Sequence, residues 1–412
     1  MTAQQPLQVA WQTGMTSLDP AAWQRLNPEG YPFLRHEFLT ALETSGSVSP
    51  EKGWQPYHWT CWRGDKLVAF LPCYIKYHSR GEYVFDFQWA EAYRHFPDPV
   101  TGQPGRDYYP KLLTAVPFTP VEGPRLLVDA GEDREEILQL LLKSIQEEVT
   151  EPQLVKSLSG WHLLFPEAEQ ADALQSLDSG RLLKRSSCQF HWFNAGYESF
   201  DAFLAVLKSK RRKEIRRERR KVADQGLELK AVSGQAITRV MLQQFYQFYR
   251  MTYYLHGQLP YLSEDFFLQL LESMPESLML VLAEKEGEAL AGALFFQDDK
   301  NLYGRYWGSL VEADALHFEA CYYQGIEYAI KQGLEHFDPG TQGEHKLTRG
   351  FEPCLMTSLH WLPDANFSRA VADFLRREDE AIREYREEAA SLLPYSINHQ
   401  PAVDAVPSAW KK

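Results

Sequence analysis

Cysteine is scarce and scattered in this 412-residue chain: Cys61, Cys73, Cys188, Cys321 and Cys354 are far apart and odd in number. A disulfide framework and a Cys-x-x-Cys metal site are therefore excluded, and the five read as small buried hydrophobes. The twelve histidines form no cluster at helical ligand spacing beyond His345 beside Glu344, so no metal is expected. No apolar run approaches the ~20 residues needed to span a bilayer. The amino terminus, MTAQQPLQVAWQTG, lacks the basic start and apolar stretch of a signal peptide, which makes the cytoplasm the expected location. Neither a GxxxxGK[ST] phosphate loop nor a GxSxG nucleophile elbow occurs, so no residue is nominated as a covalent nucleophile.

Positive charge is also in deficit, with 43 Lys and Arg against 56 Asp and Glu and a net charge of −13. Against that background, the fourteen residues from Lys208 to Lys221, KSKRRKEIRRERRK, hold ten cations and only Glu214 and Glu218. The segment carries +8 and the remainder −21. So dense a run binds a polyanion or is a solvated helix face. Aromatic residues make up 13% of the chain, enough for grooves that take amphipathic ligands as well as for cores.

The length favours two domains. Two stretches share one pattern, apolar strand, charged turn, apolar strand: WTCWRGDKLVAFLPCY from Trp59 and LVLAEKEGEALAGALFF from Leu280. Third strands are expected over Glu82 to Phe87 and Leu302 to Ser309, followed by helical segments over Tyr108 to Ala115 and Ala315 to Gln332. In the second half Ser199 is placed to cap a continuous helix that ends at Gly226, spans about 26 residues and carries the basic run. Its apolar stripe thins beyond Leu207 to Ile215 and Val222, a narrow seam that leaves the basic faces outward. A strand over Leu227 to Val232, helices over Ile237 to Tyr254 and Glu264 to Met274, the meander, a helix closed by Gly333, strands over Glu335 to Asp338 and Met356 to Leu362, and a helix over Phe367 to Ala390 complete the order. The order is that of an acetyltransferase unit. The expected fold is α/β, two tandem acetyltransferase-like (GNAT-type) units, each a mixed, largely antiparallel sheet flanked by helices. The units are expected at residues 1–185 and 186–393, the second with the basic helix at 200–225, and 394–412 as a disordered tail.

The loop GTQGEHKLTRGFEP, from Gly340, is the densest polar group outside the basic helix: Gln342, Glu344, His345, Lys346 and Arg349 supply acceptors and cations between permissive glycines. It is a ligand clamp or a surface turn. His317, near a helix start, accepts a proton from an attacking amine or bonds a backbone carbonyl. By strand alternation Arg305 points away from Tyr306, and one of those faces lines a pocket. In the first half His78, Glu82, Asp86, Trp89 and Tyr93 line an acceptor pocket or form an aromatic-rich interface.

Together, PYHWTCW at Pro56, KYHSRGEYVFDFQWAEAY at Lys76, YYPKLLTAVPFTP at Tyr108, GPRLL at Gly123, LHFEACYYQGIEYAI at Leu316 and GTQGEHKLTRGFEP at Gly340 resemble the FemAB-like family of peptidoglycan biosynthesis or recognition proteins, within the acetyltransferase-like superfamily. That family is similar to the Fem aminoacyl transferases, which move an amino acid from aminoacyl-tRNA to the amine of a cell-wall precursor. The resemblance implies that Lys210, Arg212 and Arg216 of the basic helix, with Lys346, bind phosphate groups of substrate or tRNA. The chain departs from its relatives in lacking the coiled-coil arm of some Fem proteins and the Gln/Arg-x-x-Gly-x-Gly/Ala loop of CoA-dependent acetyltransferases. The expected activity is acyl or aminoacyl transfer from aminoacyl-tRNA or acyl-CoA to the amine of a small-molecule or nucleotide-linked acceptor. Lys346 and Arg349 are assigned to phosphate or oxyanion binding, and Glu344 and His317 to amine orientation or proton acceptance. His317, Glu344 and Lys346 form the catalytic set; Lys210, Arg212, Arg216, Tyr306, Gln342, His345, Arg349, His78, Glu82 and Asp86 form the binding set. The competing reading is an inactive module that holds RNA or a phosphorylated glycan on the transferase scaffold.

Overall fold

The computed structural model describes residues 5–27, 30–97, 102–255, 257–341, 343–396 and 401–402. The chain forms two compact units: 1–187 with 356–383, and 188–355 with the segment from 384 onward. The second passage through the first unit differs from a simple division near residue 186. It arises because the strand at Glu352–Trp361 pairs, through Ser358 to Trp361, with Trp161 to Leu164 of the first unit.

The first unit contains β1 (Leu7–Gln12), α1 (Pro20–Leu26), α2 (His36–Thr44), β2 (Trp54–Pro56), β3 (His58–Arg63), β4 (Lys66–Leu71), β5 (Cys73–Lys76), α3 (Phe87–His95), β6 (Lys111–Thr114), β7 (Leu127–Val128), α4 (Arg134–Thr150), β8 (Trp161–Leu164) and α5 (Ala168–Leu177). β9 (Leu182–Phe193) leads into the second unit, which holds α6 (Phe200–Val206), α7 (Ser209–Asp224), β10 (Glu228–Ser233), α8 (Arg239–Leu255), α9 (Glu264–Ser273), β11 (Leu278–Lys285), β12 (Glu288–Gln297), β13 (Asn301–Ser309), α10 (Leu316–Phe318), α11 (Gln324–Gln332) and β14 (His336–Asp338). β15 (Glu352–Trp361) and α12 (Ala365–Ser391) follow.

In the first unit, one sheet runs β1-β3-β4-β7 and another runs β15-β8-β6-β5-β2, with β6 and β8 parallel. Their core joins Trp59, Val68, Leu71, Leu112, Ile137, Leu141, Trp161 and Leu163. In the second unit the order is β10-β11-β12-β13-β14-β9, antiparallel except for the β13–β14 step. Phe190, Trp192, Phe203, Ile215, Phe295, Tyr323, Ile326 and Phe337 fill its core. The α/β class with mixed, largely antiparallel sheets and flanking helices is the one expected. Among the described residues no helix is long and apolar enough to cross a membrane.

Both hairpins form as the alternating runs imply, as β3–β4 and β11–β12. Ser199 and Ser263 cap their helices by accepting from Ala202 N at 3.1 Å and Phe266 N at 3.2 Å. Gly333 ends α11 in the left-handed region.

Four expectations fail. Glu82 to Phe87 is not a strand, because Gly81 and Tyr83 take positive φ and the side chains of Glu82 and Asp86 turn inward. Tyr108 to Ala115 contains a strand rather than a helix; its short apolar run is ambiguous by periodicity, and pairing with β5 and β8 decides it. The basic helix is broken: Leu207 is extended and buried, bridged to Tyr395, while Lys208 N donates to Pro394 O at 2.7 Å. α7 therefore spans 16 residues, about 24 Å. The same contacts place the start of the expected disordered tail in the core, with Tyr395 buried and its hydroxyl donating to Gly350 O at 2.6 Å.

Candidate functional site

The site of the second unit begins with an irregularity in β13. Its register with β12 shifts so that Leu294 faces Tyr306 and Phe295 faces Gly304, which leaves Arg305 as the extra residue of a bulge. The expected alternation of Arg305 and Tyr306 fails at this bulge, and both border one cavity of about 120 Å³ with Phe295, Trp307, His317 and Tyr322. Arg305 extends to Asp338 at the end of β14, 2.5 Å away, in a pair almost wholly buried. Burial works to raise the Asp338 pKa, but the Arg305 cation outweighs it and holds the carboxyl at about 2.

Helical entry to the site is equally irregular. Ala315 caps it in the left-handed region, α10 lasts three residues, and Glu319 to Tyr323 wind as a π turn before α11 resumes. Such π turns inside helices are frequent at functional sites. Here His317 and Glu319 diverge. The buried Glu319 accepts from Arg219 Nε at 3.1 Å and from Gln324, whereas His317 lies among Trp307, Phe318 and Tyr322. Neither ring nitrogen of His317 makes a hydrogen bond among the described residues. Burial lowers its pKa to about 4, aided by the neighbouring His345, Lys346 and Arg349, so the imidazole is neutral at pH 7. Burial, more than the helix start, is the cause. His317 also borders a second hollow of about 460 Å³, lined by Trp307, Ser309, Val311, Glu312 and Asp314.

The polar loop folds as a 3-10 turn over Glu344–Arg349 and turns much of its charge inward. Lys346 is 1% exposed, donates to the Gly340 carbonyl, and is lowered by burial to about 8 against the pull of Asp338. Arg349 donates to Glu218 Oε1 at 2.7 Å, to His345 O at 2.7 Å and to the Tyr323 hydroxyl at 2.9 Å, with its guanidinium over Phe318. The expectation that it binds a phosphate or an oxyanion meets a side chain already engaged within the protein, with donors on Tyr323, His345 and Thr348 and with Glu218 of α7 holding it. His345 Nε2 lies 2.9 Å from the Tyr322 hydroxyl, and the His345 and His317 rings are 6.2 Å apart. Glu344 is exposed and accepts from Tyr385 at 2.9 Å. Gln342 lies outside the described residues.

α7 divides its cations. Arg212 donates to Ala205 O, Arg216 pairs with Asp201 at 2.8 Å, Arg219 pairs with Glu319 and Glu327, and Lys221 pairs with Asp314. Lys210, Lys213, Arg217 and Arg220 are exposed and make no ion pair or hydrogen bond among the described residues. At about 100° per residue these four share one stripe, opposite the buried Ile215 and Val222.

The first-unit candidates lie in a different setting. Glu82 and Asp86, each 3% exposed, accept from Lys111 Nζ at 2.7 and 2.5 Å. Asp86 also accepts from Tyr108 at 2.9 Å, and hydrogen bonds continue through His162 to His360 and Ser358. Burial raises Glu82 to about 7 and lowers Lys76, 3.9 Å from its other oxygen, to about 7. These are internal ion pairs, so the expectation that Glu82 and Asp86 line an acceptor pocket is corrected. His78 is half-buried and accepts from Arg80 N at 3.1 Å. Sequence reasoning passed over Lys111, whose one signal is a lone cation opening the apolar strand KLLT, and Glu312, which has no signal beyond its place after a strand.

A family model for FemAB-like proteins, described as peptidoglycan biosynthesis/recognition, matches residues 14–397. No curated protein sequence matches the chain. Among solved structures, FemX aligns at 13% identity over 89% of this chain and 100% of its own, with a TM-score of 0.51. L-PGS from Bacillus licheniformis aligns at 10% identity over 82% and 96%, with a TM-score of 0.47. A conserved protein of unknown function from Bacteroides thetaiotaomicron aligns at 11% over 86% and 100%, also with a TM-score of 0.47. The likeness to FemX is one of fold. With 384 of 412 residues inside the match, the chain belongs to the FemAB-like family of peptidoglycan biosynthesis/recognition proteins.

Proposed function

We propose that this protein is an acyl or aminoacyl transferase that joins an acyl group from an activated donor, aminoacyl-tRNA or acyl-CoA, to an amine, with His317 as proton acceptor. One observation supports this most: a neutral imidazole without a hydrogen-bond partner among the described residues borders both hollows of the unit, so reactants in the two meet at its ring. The amine nitrogen attacks the acyl carbon and the N–C bond forms. The ester C–O or thioester C–S bond breaks, and its electron pair leaves with the donor. The amine proton passes to His317 and from there to the leaving group. Positioning supplies much of the acceleration, without a covalent enzyme intermediate.

The unpaired stripe of α7 serves the donor or acceptor phosphates in this scheme, with Lys210 as the residue the family resemblance and the geometry share. Lys346 and Arg349 shape the cavity from behind. Family membership and the FemX-like fold are consistent with transfer chemistry. The experiment is incubation of the full chain with acetyl-CoA or with charged tRNA, each with a panel of amines including a nucleotide-linked cell-wall precursor, followed by mass spectrometry. An amide product from one donor class is expected. Absence of product with every donor, together with tight polyanion binding that is lost in Lys213→Glu/Arg217→Glu, would leave the binding-module reading instead.

A further inference from the structure

The hollow at the end of β13 has the chemistry of a cation site. Its wall carries the half-buried Trp307 indole, whose ring lies 5.5 Å from that of His317. Its rim carries two carboxylates with different fates. Asp314 is neutralised by Lys221 at 2.5 Å, and its backbone is clamped by Gln225, which donates to Asp314 O and accepts from Asp314 N, both at 3.1 Å. Glu312 is exposed and makes no ion pair or hydrogen bond among the described residues. The rim is fixed without it: Ser309 Oγ donates to Val311 O at 2.7 Å and accepts from Val311 N at 3.1 Å, and Leu310 N donates to Leu290 O at 2.9 Å. A carboxylate and an indole lining one hollow attract an ammonium group, and the carboxylate repels a phosphate.

We infer that this hollow is the entry site for the amine acceptor, which arrives as a primary ammonium, is held between the Glu312 carboxylate and the Trp307 ring, releases one proton to solvent, and as the neutral amine gives its second proton to a ring nitrogen of His317 when it attacks. The inference rests on the transfer reading for its purpose but not for its test. It leaves the cavity bordered by Arg305 and Tyr306 to the acyl end of the donor. Lys221 brings a cation to the rim, and its pairing with Asp314 limits the repulsion it exerts.

The test is a binding titration of the full chain at pH 7, following the His317 ring signals by nitrogen-15 NMR, with n-butylammonium chloride as probe and n-butanol at matched ionic strength as the uncharged control. A saturable shift with n-butylammonium, about tenfold weaker or absent with n-butanol, is expected, and Glu312→Gln should weaken the ammonium by about tenfold. Thermal unfolding checks that the Glu312→Gln variant, altered at an exposed position, is folded. Trp307→Leu, if folded, should weaken binding too. Equal response to n-butanol, or unchanged ammonium binding in Glu312→Gln, would overturn the inference. Amide formation without ammonium binding here would also defeat this assignment while sparing the transfer reading. Ammonium binding without any product would support the site and defeat the transfer reading.

Discussion

His317 and Lys111 are opposite solutions to burial. The first is an unpaired base that stays neutral; the second stays charged because Asp86 and Glu82 surround it and, against burial, hold its pKa above the usual lysine range. The His317 imidazole should therefore remain neutral from pH 8 down to about 5 and titrate near 4 by NMR; a midpoint near 6.5 would show that the ring is solvated instead. Because its folded pKa is depressed, the unfolded chain binds the proton more readily between about pH 4 and 6.5, and this residue loses stability as pH falls through that window. Replacing Lys111 with Met should cost about 3–5 kcal/mol in urea unfolding, since it leaves two carboxylates buried without their cation. At this scale the sequence puts His317, His345 and Lys346 into one candidate site, and the fold sets the His317 and His345 rings 6.2 Å apart with Lys346 near enough to act on His317. Arg349 was not legible, because the partner that takes its charge, Glu218, is 131 positions away.

Elements were legible where local chemistry decides them. Alternation with a charged turn specifies both hairpins, and Ser199 and Ser263 mark helix starts that depend on a hydrogen bond within three residues. The break between α6 and α7 was illegible because it depends on Tyr395, nearly two hundred residues away in sequence, which makes a bridge with Leu207. One close approach fixes how α8 lies on the sheet: a Cβ on Gly308 would stand 2.0 Å from the Phe248 carbonyl. Gly308→Ala should accordingly cost about 1–3 kcal/mol by overpacking, read as a lowered midpoint in thermal or urea unfolding. The outward stripe of α7 makes a separate prediction. Lys213→Glu with Arg217→Glu should weaken binding of a tRNA probe and lower the salt slope by about two. An unchanged slope would mean that the stripe is only a solvated face.

At the scale of the whole molecule, the second unit combines an irregular strand and a π turn beside its hollows with a basic helix on which Lys210, Lys213, Arg217 and Arg220 face outward without an ion pair among the described residues, while Glu218 holds Arg349 of the polar loop. The first unit buries its charges in pairs. The transfer chemistry proposed for the second unit turns on one step, in which His317 takes the proton of the attacking amine. The most direct measurement is the single-turnover rate of amide formation for the unaltered protein and for His317→Gln, with donor and amine saturating. A fall in rate of about 10²–10⁴-fold with donor binding unchanged is predicted; an unchanged rate in a folded His317→Gln protein would contradict it.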